Sequence, residues 1–251
     1  MTGRGERFDG KVVLVTGGTR GLGREMAGAF AARGASVVVS SRKAGACESV
    51  AAELEREFGN PALGVPCHMG HWEELEALLD AVYDRFGALH CLVNNAGISP
   101  TYDRLTAVSE DLWDKTLAVN LKGPFRLTAL AGERMKAAGG GTVVNVSSVA
   151  SIRPDANWLP YSAAKAGLNA LTEGFSQALA PEVRINGIIC GAFMTDIAAD
   201  WDEDETAERM RNTALRRPGR AEEVVGAVLH LAGEQSSYTT GAMLRVDGGR
   251  R

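Results

Sequence analysis

Short, continuous apolar runs alternate with longer segments of helical periodicity along the whole chain. Apolar runs rich in β-branched residues are typical of strands buried on both faces of a parallel sheet. The predicted strands occupy residues 11–17, 35–41, 62–67, 89–97, 141–148, 184–190 and 243–248. The predicted helices occupy residues 21–33, 45–58, 72–86, 109–138, 159–180 and 220–233. This alternation predicts an α/β fold, a doubly wound Rossmann-type sheet with helices on both faces.

Composition restricts the kind of protein that carries this pattern. No Pro/Ser-rich linker interrupts it, so we expect residues 1–251 to form a single domain. The net charge of −4 provides no basic field for nucleic acid or for an anionic membrane. No apolar run reaches bilayer-spanning length, and residues 1–11 lack a signal core. The 4 cysteines are scattered without a CxxC pair, so we expect reduced thiols in a cytoplasmic protein.

Polar or glycine-rich segments follow five of the predicted strands. Ligands of doubly wound sheets bind beyond the carboxyl ends of the strands, where the strand order reverses. The five segments should therefore converge on one crevice. They are residues 16–23, 40–43, 94–97, 147–148 and 191–195.

The first of these segments, Thr16–Gly23, reads TGGTRGLG and runs directly into a predicted helix. Glycines permit a tight turn and let backbone N–H groups approach a pyrophosphate at the helix N-terminus. The spacing of Gly17, Gly21 and Gly23 differs from G-x-G-x-x-G, and a glycine loop alone is a weak signal. Its position after the first strand of a βαβ unit favours a dinucleotide site over an ordinary turn.

The end of the second strand carries the information on cofactor choice. An NAD site normally presents an acidic residue there for the ribose 2′-hydroxyl, whereas this chain has Ser41, Arg42 and Lys43. No carboxylate is present at this position to repel a 2′-phosphate, and the planar guanidinium of Arg42 could bind one. Arg20 could add a second positive charge. The pattern favours NADP, with NAD less favoured; the alternative is that Arg42 and Lys43 form a solvated turn.

A tyrosine and a lysine open the fifth predicted helix, at Tyr161 and Lys165. Their i,i+4 spacing puts both side chains on one helical face. An ammonium close to a phenol favours phenolate, so we expect Lys165 to lower the Tyr161 pKa toward working pH. Such a tyrosine can protonate a carbonyl oxygen or deprotonate an alcohol. Ser148, at the end of the fifth strand, could hold the same oxygen.

Taken in order, the motifs resemble the short-chain dehydrogenase/reductase family in its compact form. They are TGGTRGLG, NNAG at 94–97, Asn120, the strand end NVSS with Ser148, and YSAAK at 161–165. The resemblance extends from Gly10 to Gly249. It implies a seven-stranded parallel sheet and a nicotinamide dinucleotide cofactor. It also implies an oxidoreductase that acts on a secondary alcohol or ketone.

The resemblance also implies a role for each site residue. Tyr161 would be the general acid/base, Lys165 would bind the nicotinamide ribose, and Ser148 would orient the substrate carbonyl. Asn120 would hold a water that links Lys165 to solvent. The residues implied in cofactor binding, besides Tyr161 and Lys165, are Gly17, Thr19, Arg20, Leu22, Ser41, Arg42, His68, Met69, Asn94, Ala96, Gly97, Gly191 and Thr195.

Two positions depart from the family pattern. After the third strand the family usually has an aspartate that meets the adenine amine, but this chain has His68 followed by Met69. Neutral His68 could accept that hydrogen bond, stack on the ring, or face solvent. The family's Pro-Gly after the sixth strand is here Cys190-Gly191, which puts a thiol near the nicotinamide, either redox-active or inert. His68 and His71 have no third ligand nearby, so we expect no metal site.

Several properties stay open at this level. Residues 193–215 correspond to the family's substrate lid, and the helical stretch 109–138 with the last strand corresponds to its tetramer interfaces. We therefore expect a homotetramer. The substrate could be a 3-oxoacyl thioester, a sugar or polyol, a diketone or a sterol. The alternative functions are a non-catalytic NADP-binding regulator, and a dehalogenase or lyase, against which the glycine loop argues.

Overall fold

Seven parallel strands form the central sheet of the computed structural model, which describes residues 6–195, 206 and 210–250. In chain order they are β1 Val12–Thr16, β2 Ser36–Ser41, β3 Ala62–Pro66, β4 Cys91–Asn94, β5 Gly141–Ser148, β6 Val183–Cys190 and, last, β9 Met243–Val246. The order across the sheet is β3-β2-β1-β4-β5-β6-β9. The chain therefore winds outward in one direction from β1 and in the other from β4, which confirms the predicted doubly wound α/β fold.

Helices cover both faces of this sheet. They are α1 Gly21–Ala31, α2 Ala44–Phe58, α3 Glu74–Phe86, α4 Glu110–Leu117, α5 Gly123–Ala137, α6 Leu159–Ala178 and α7 Val225–Ala232. Helices α1, α2 and α7 pack on one face, and α3, α5 and α6 pack on the other. No helix in the described part of the chain has both the length and the apolar character needed to cross a membrane.

Strand β1 illustrates why the apolar runs are continuous. Val13 and Val15 lie in the core under α1 and α2, whereas Val12 and Leu14 lie in the core on the opposite face. Successive side chains of a strand point to opposite faces, so a strand covered on both sides needs apolar residues at every position. The same alternation places Val37 and Val39 of β2 in the first core.

The predicted continuous helix over 109–138 is interrupted at its centre. Helix α4 ends at Leu117, a single π-helical turn spans Ala118–Lys122, and α5 begins at Gly123. The N–H of Gly123 bonds to the carbonyl of Ala118, five residues back. The next residue, Pro124, has no N–H to donate. A Cβ on Gly123 would lie 2.0 Å from the Met69 carbonyl oxygen, so this close approach requires glycine.

A second, two-stranded sheet lies outside the predicted pattern. Its strands are β7 Phe193–Met194 and β8 Gly219–Arg220, which pair in parallel. They are only two residues long, too short for a periodic signal in the sequence. Together they fix the start of the predicted lid, residues 193–215. Residues 196–205 and 207–209 of that segment lie outside the described residues.

Candidate active site

The strand order reverses between β1 and β4, and one threonine ties the two strand ends together. The hydroxyl of Thr16 donates to the Val93 carbonyl at 3.2 Å and accepts from the N–H groups of Asn95 at 3.0 Å and Ala96 at 3.1 Å. The side-chain amide of Asn95 donates back to the Thr16 carbonyl at 2.9 Å. These bonds fix the glycine loop relative to β4.

The glycine loop that follows Thr16 is shaped by steric limits. Gly17 and Gly21 have φ angles of +65° and +52°, in the left-handed region that favours glycine. A Cβ on Gly23 would lie 2.1 Å from the Gly17 carbonyl oxygen. Helix α1 starts at Gly21, and no described side chain caps it. Its first N–H groups are therefore available to an anion.

The predicted loop residues Gly17, Thr19, Arg20 and Leu22 all line one crevice, which also contains the ends of β5 and β6. From the β6 side the crevice is lined by Gly191 and Thr195. The methyl carbon of Thr195 lies 3.4 Å from the position of a Cβ on Gly21. The residues after β1 and β6 thus face each other across the opening.

The side chain of Asn94 lies in the sheet behind this crevice, and its predicted role in cofactor binding stays a prediction. Its side chain is 2% exposed and donates to Thr128 Oγ1 and to Asn145 Oδ1, both at 2.9 Å. Asn145 donates in turn to Thr172 Oγ1 at 2.9 Å, so the amides bridge the sheet to α5 and α6. The crevice is instead lined by the next three residues, Asn95–Gly97. Side chains alternate along a strand, so a shift of one residue exchanges core for crevice.

The glycine loop and the end of β2 contribute positive charge to one end of the crevice. Arg20, Arg42 and Lys43 are exposed, and none forms an ion pair within the described residues. The hydroxyl of Ser40 is buried and has no hydrogen-bond partner among the residues that the structure describes. Ser41 lies within 3.2 Å of the Cys47 thiol, so its hydroxyl already has a partner in the protein.

His68 and Met69, which follow β3, line the same crevice beside Arg42. Met69 is buried and His68 is partly exposed. His68 stacks on His71, with ring centroids 4.1 Å apart. Within the described ranges, no three side chains of the His, Cys, Asp or Glu types are grouped as metal ligands.

Ser148 and Tyr161 meet at the other end of the crevice. Ser148 ends β5, and its hydroxyl accepts from the N–H of Ala150 at 3.2 Å. Burial raises the pKa of Tyr161 to about 12, partly offset by a hydrogen bond from Ser148. Tyr161 is therefore a neutral phenol at pH 7, with a proton available to donate.

Lys165 is buried one helical turn after Tyr161. Its side chain is 3% exposed, and Nζ donates to the Val146 carbonyl of β5 at 2.8 Å. Burial lowers the pKa of Lys165 to about 8. The ammonium lies 5.8 Å from the centroid of the Tyr161 ring. Lys165 is not among the groups that shift the Tyr161 pKa in this arrangement, where burial dominates and Nζ bonds to the backbone. A lowering of the Tyr161 pKa by Lys165 stays a prediction.

Cys190 lies close enough to these groups to influence both of their pKa values. Burial raises the pKa of the Cys190 thiol to about 12, an effect that the Lys165 charge only partly offsets. Because the thiolate is the reactive form, a thiol with so high a pKa is inert. This favours the packed thiol over the redox-active alternative.

Asn120 lies in the π-helical turn, fully buried. Its amide donates to the carbonyls of Ile98 at 2.8 Å and Thr116 at 2.9 Å, and Oδ1 accepts from the Ile98 N–H at 3.2 Å. A Cβ on Gly97 would lie 2.7 Å from Asn120 Oδ1 and 3.7 Å from Lys165 Nζ. Glycine at position 97 therefore leaves room above Lys165. A water relay through Asn120 stays a prediction.

Tyr102 is a residue of this region that the sequence analysis missed. Its hydroxyl donates to the Ala156 carbonyl at 2.5 Å and accepts from the N–H of Leu159, the first residue of α6, at 3.0 Å. It therefore fixes the start of the helix that carries Tyr161. Tyr102 lies in an irregular segment, where no periodicity or motif marks a residue.

Known proteins resemble this chain along nearly its whole length. The family model described as short chain dehydrogenase matches residues 11–206. Dehydrogenase/reductase SDR family member 4 of Homo sapiens is 38% identical over 95% of this chain and 87% of its own. The 3-oxoacyl-[acyl-carrier-protein] reductase of Aquifex aeolicus is 35% identical over 97% of this chain and 98% of its own.

Among solved structures, NADPH-dependent 3-quinuclidinone reductase from Rhodotorula rubra superposes with a TM-score of 0.90. It is 30% identical, and the match covers 97% of this chain and 92% of that one. Sequence and fold therefore agree on the same group of proteins.

Burial of Lys165 leads to a prediction about stability. At pH 7 the ammonium is charged in both states, and only the folded chain bears the cost of burying it. Replacing Lys165 with methionine should stabilise the cofactor-free protein at pH 7 by about 1–3 kcal/mol, the desolvation cost less the lost hydrogen bond. Above its folded pKa of about 8 the folded chain releases this proton, and the unfolded chain retains it up to 10.5. The stabilisation should therefore shrink as pH rises through this window.

Chemical denaturation of wild type and Lys165→Met at pH 7 and pH 10 measures this difference. Lys122→Met is a matched control, since Lys122 is exposed on the same π-helical turn as Asn120. A variant that is less stable than wild type at pH 7, or a difference independent of pH, would contradict the prediction.

Proposed function

The chain belongs to the short-chain dehydrogenase family, and from this premise we propose that it is an NADP(H)-dependent oxidoreductase acting on a secondary alcohol/ketone pair. One observation carries the proposal. Ser148, Tyr161 and Lys165 meet in the same crevice as a glycine loop whose geometry excludes side chains. A proton donor and a phosphate-binding loop in one crevice are the two parts that this chemistry requires.

The crevice fits a nicotinamide dinucleotide in three respects. Gly17 and Gly23 leave room for a pyrophosphate where any Cβ would collide with the backbone. The N-terminus of α1 offers uncapped N–H groups. Ser40, near the end of β2, has a buried hydroxyl with no partner in the described part of the chain, and a ribose or phosphate oxygen could provide one. The dinucleotide would supply or accept the hydride.

Cofactor choice rests on the charge at the end of β2. Arg42 is exposed and free of ion pairs within the described residues, so its guanidinium can bind a 2′-phosphate. Arg20 is exposed on the adjacent loop and adds positive charge. The related reductase of Rhodotorula rubra is NADPH-dependent, which is consistent with this choice.

Proton transfer in this site would give a separate role to Tyr161, Ser148 and Lys165. Tyr161, with its pKa raised to about 12, would hold a proton on its hydroxyl and donate it to a carbonyl oxygen during reduction. Ser148, whose hydroxyl lies close enough to affect the Tyr161 pKa, would bind the same oxygen. Lys165 would bind the nicotinamide ribose, and Asn120 would connect it to solvent through water. Alcohol oxidation would need Tyr161 to lose its proton first.

The substrate stays open among the carbonyl classes named above. One relative is a 3-oxoacyl-[acyl-carrier-protein] reductase, which is consistent with a 3-oxoacyl thioester as the substrate. We propose that the whole chain forms one cytoplasmic domain, in which residues 193–215 cover the substrate. Its four cysteines are free and buried, in keeping with a reducing compartment.

The runner-up function is a regulator that binds NADP without chemistry. Such a protein has no need for Tyr161 or Lys165, and this chain retains both. A fixed-time assay of NADPH and NADH oxidation against a panel of ketones, with the reverse assay against alcohols, tests the enzymatic proposal. Turnover of a ketone supports it. Dinucleotide binding without turnover across a broad panel favours the regulator.

Tyr161→Phe tests the proton donor. The substitution removes the hydroxyl but keeps the ring, so packing and cofactor affinity should be nearly unchanged. Proton-transfer catalysis is worth about 10²–10⁴-fold, and kcat should fall by at least that factor. Steady-state kinetics with a substrate from the panel measures it, and Tyr238→Phe is the control because Tyr238 is fully exposed. Retention of more than about a tenth of kcat would exclude the role.

Arg42→Ala tests the cofactor preference. A hydrogen bond to a charged group contributes about 1.5–3 kcal/mol, so NADPH should bind about tenfold to a hundredfold more weakly. NADH lacks the 2′-phosphate, and its affinity should hardly change. Titration of both reduced cofactors, followed by fluorescence, gives the two dissociation constants for each protein.

Arg56→Ala provides the matched control for Arg42→Ala. Arg56 is exposed in the last turn of α2, so its loss changes the net charge equally but far from the crevice. A wild type that prefers NADH would contradict the assignment. So would an Arg42→Ala variant that weakens both cofactors equally, and Lys43 and then Arg20 would be examined next.

Association into a homotetramer is the last part of the proposal. Trp113 of α4 and Phe125 of α5 are 42% and 40% exposed, and Leu244 on the edge strand β9 is 39% exposed. Sedimentation at micromolar concentration should give four copies of the 26.5-kDa chain. Phe125→Glu should dissociate them, whereas Leu105→Glu, at an exposed site outside these elements, should not. A wild-type monomer would refute this assembly.

A further inference from the structure

One end of the crevice takes no part in the proposed proton and hydride transfer. The glycine loop provides for phosphates near its middle, and Tyr161 and Lys165 mark the reacting end. The remaining part lies beyond β2 and β3 and is lined by Arg42, His68 and Met69. A dinucleotide whose pyrophosphate occupied the glycine loop would extend its purine toward this part. Two imidazole rings line it, His68 and His71, and His71 already pairs with Glu74 through Nδ1.

The hydrogen-bonding state of His68 is fixed by its own loop. The N–H of Gly70 donates to His68 Nδ1 at 3.1 Å. A ring nitrogen that accepts cannot carry the proton, so in the neutral ring Nε2 carries it and is a donor. Burial, His71 and Arg42 lower the pKa of His68, and Glu74 only partly opposes them. The neutral form with Nε2–H therefore prevails near pH 7.

Neighbouring groups hold this ring in place. His71 stacks on His68 with an interplanar angle of 20°. One carboxylate oxygen of Glu74 accepts from the His68 backbone N–H at 2.6 Å, and the other lies 2.6 Å from His71 Nδ1. The imidazole is thus fixed from its own backbone and from one face. No described residue hydrogen-bonds to Nε2.

We propose that His68 Nε2–H donates a hydrogen bond to an acceptor on the purine of the bound dinucleotide, so that this subsite does not require the adenine amine. This inference rests on the proposed function. A carboxylate after β3 accepts from the amine at purine position 6 and disfavours a carbonyl oxygen there. A fixed donor has the opposite preference. The subsite would therefore accept 6-oxopurine dinucleotides as well as adenine dinucleotides.

Equilibrium titration of NADPH and of its hypoxanthine analogue tests the proposal without any turnover. The analogue replaces the purine amine by a carbonyl oxygen, carries a proton on N1, and leaves the phosphates unchanged. Wild type should bind the two within about threefold, or the analogue more tightly, because a donor can pair with adenine N1 or with the 6-carbonyl oxygen. His68→Asp should reverse this and bind the analogue about tenfold more weakly than NADPH. NADH and its hypoxanthine analogue, which lack the 2′-phosphate, give the same comparison independently of the role assigned to Arg42.

His68→Phe separates hydrogen bonding from stacking. Phenylalanine keeps a ring against His71 but cannot donate, so both dinucleotides should bind about two- to tenfold more weakly. His230→Phe is the control, because His230 is exposed on α7 and does not line the crevice. Unchanged binding by His68→Phe would overturn the proposal in favour of stacking alone.

Nitrogen chemical shifts of the histidine rings give a readout on the unmodified protein. The chain has 4 histidines, and the signals missing in His68→Phe identify His68. The Nε2–H tautomer is expected, and an Nδ1–H tautomer would overturn the proposal. If wild type binds NADPH but rejects the analogue tenfold or more, only this inference fails. If neither dinucleotide binds, the proposed function fails with it.

Discussion

The junction between β1 and β4 is the constraint on which the rest of the site depends. The connections from β1 and from β4 run to opposite sides of the sheet, so no connection crosses between the ends of these two neighbouring strands. The space left between their ends is the crevice. Thr16 and Asn95 hold its two sides together through four hydrogen bonds, from 2.9 to 3.2 Å long. The glycine loop, the open end of α1 and the approach to Lys165 all take their positions from this junction.

Burial of the Lys165 ammonium in the active site lowers the stability of the folded protein. Lys165 is buried with a backbone carbonyl as its hydrogen-bond partner and no carboxylate bonded to it in the described structure. A buried ammonium without a counterion is destabilising, and the lowered pKa reflects that cost. The thiol of Cys190 and the phenol of Tyr161 are held neutral by the same apolar surroundings. These surroundings strengthen electrostatic interactions with whatever binds above them.

The fold was largely accessible from the sequence, because burial on both faces leaves uninterrupted apolar runs such as residues 12–15 of β1. The motifs were also sufficient to bring Ser148, Tyr161 and Lys165 to one crevice. Three points were not accessible. The choice between Asn94 and Asn95 depends on strand alternation at a strand end, and the break at Gly123 depends on contact with Met69. The directions of the Tyr161 and Lys165 pKa shifts depend on burial in the folded protein, which the residues adjacent in sequence do not determine.

The position of β9 at the sheet edge has a consequence for how the protein is made. This strand pairs with β6 from far along the chain, and the nearby carbonyls of Gly248 and Gly249 accept from the N–H groups of Leu215 and Ala214. Residues 214 and 215 are thus held by residues that leave the ribosome later. Contacts between such distant segments form late in folding. Synthesis itself therefore delays the pairing of β9 with β6, whose end lines the crevice, while the glycine loop and strands β1 to β4 can already form.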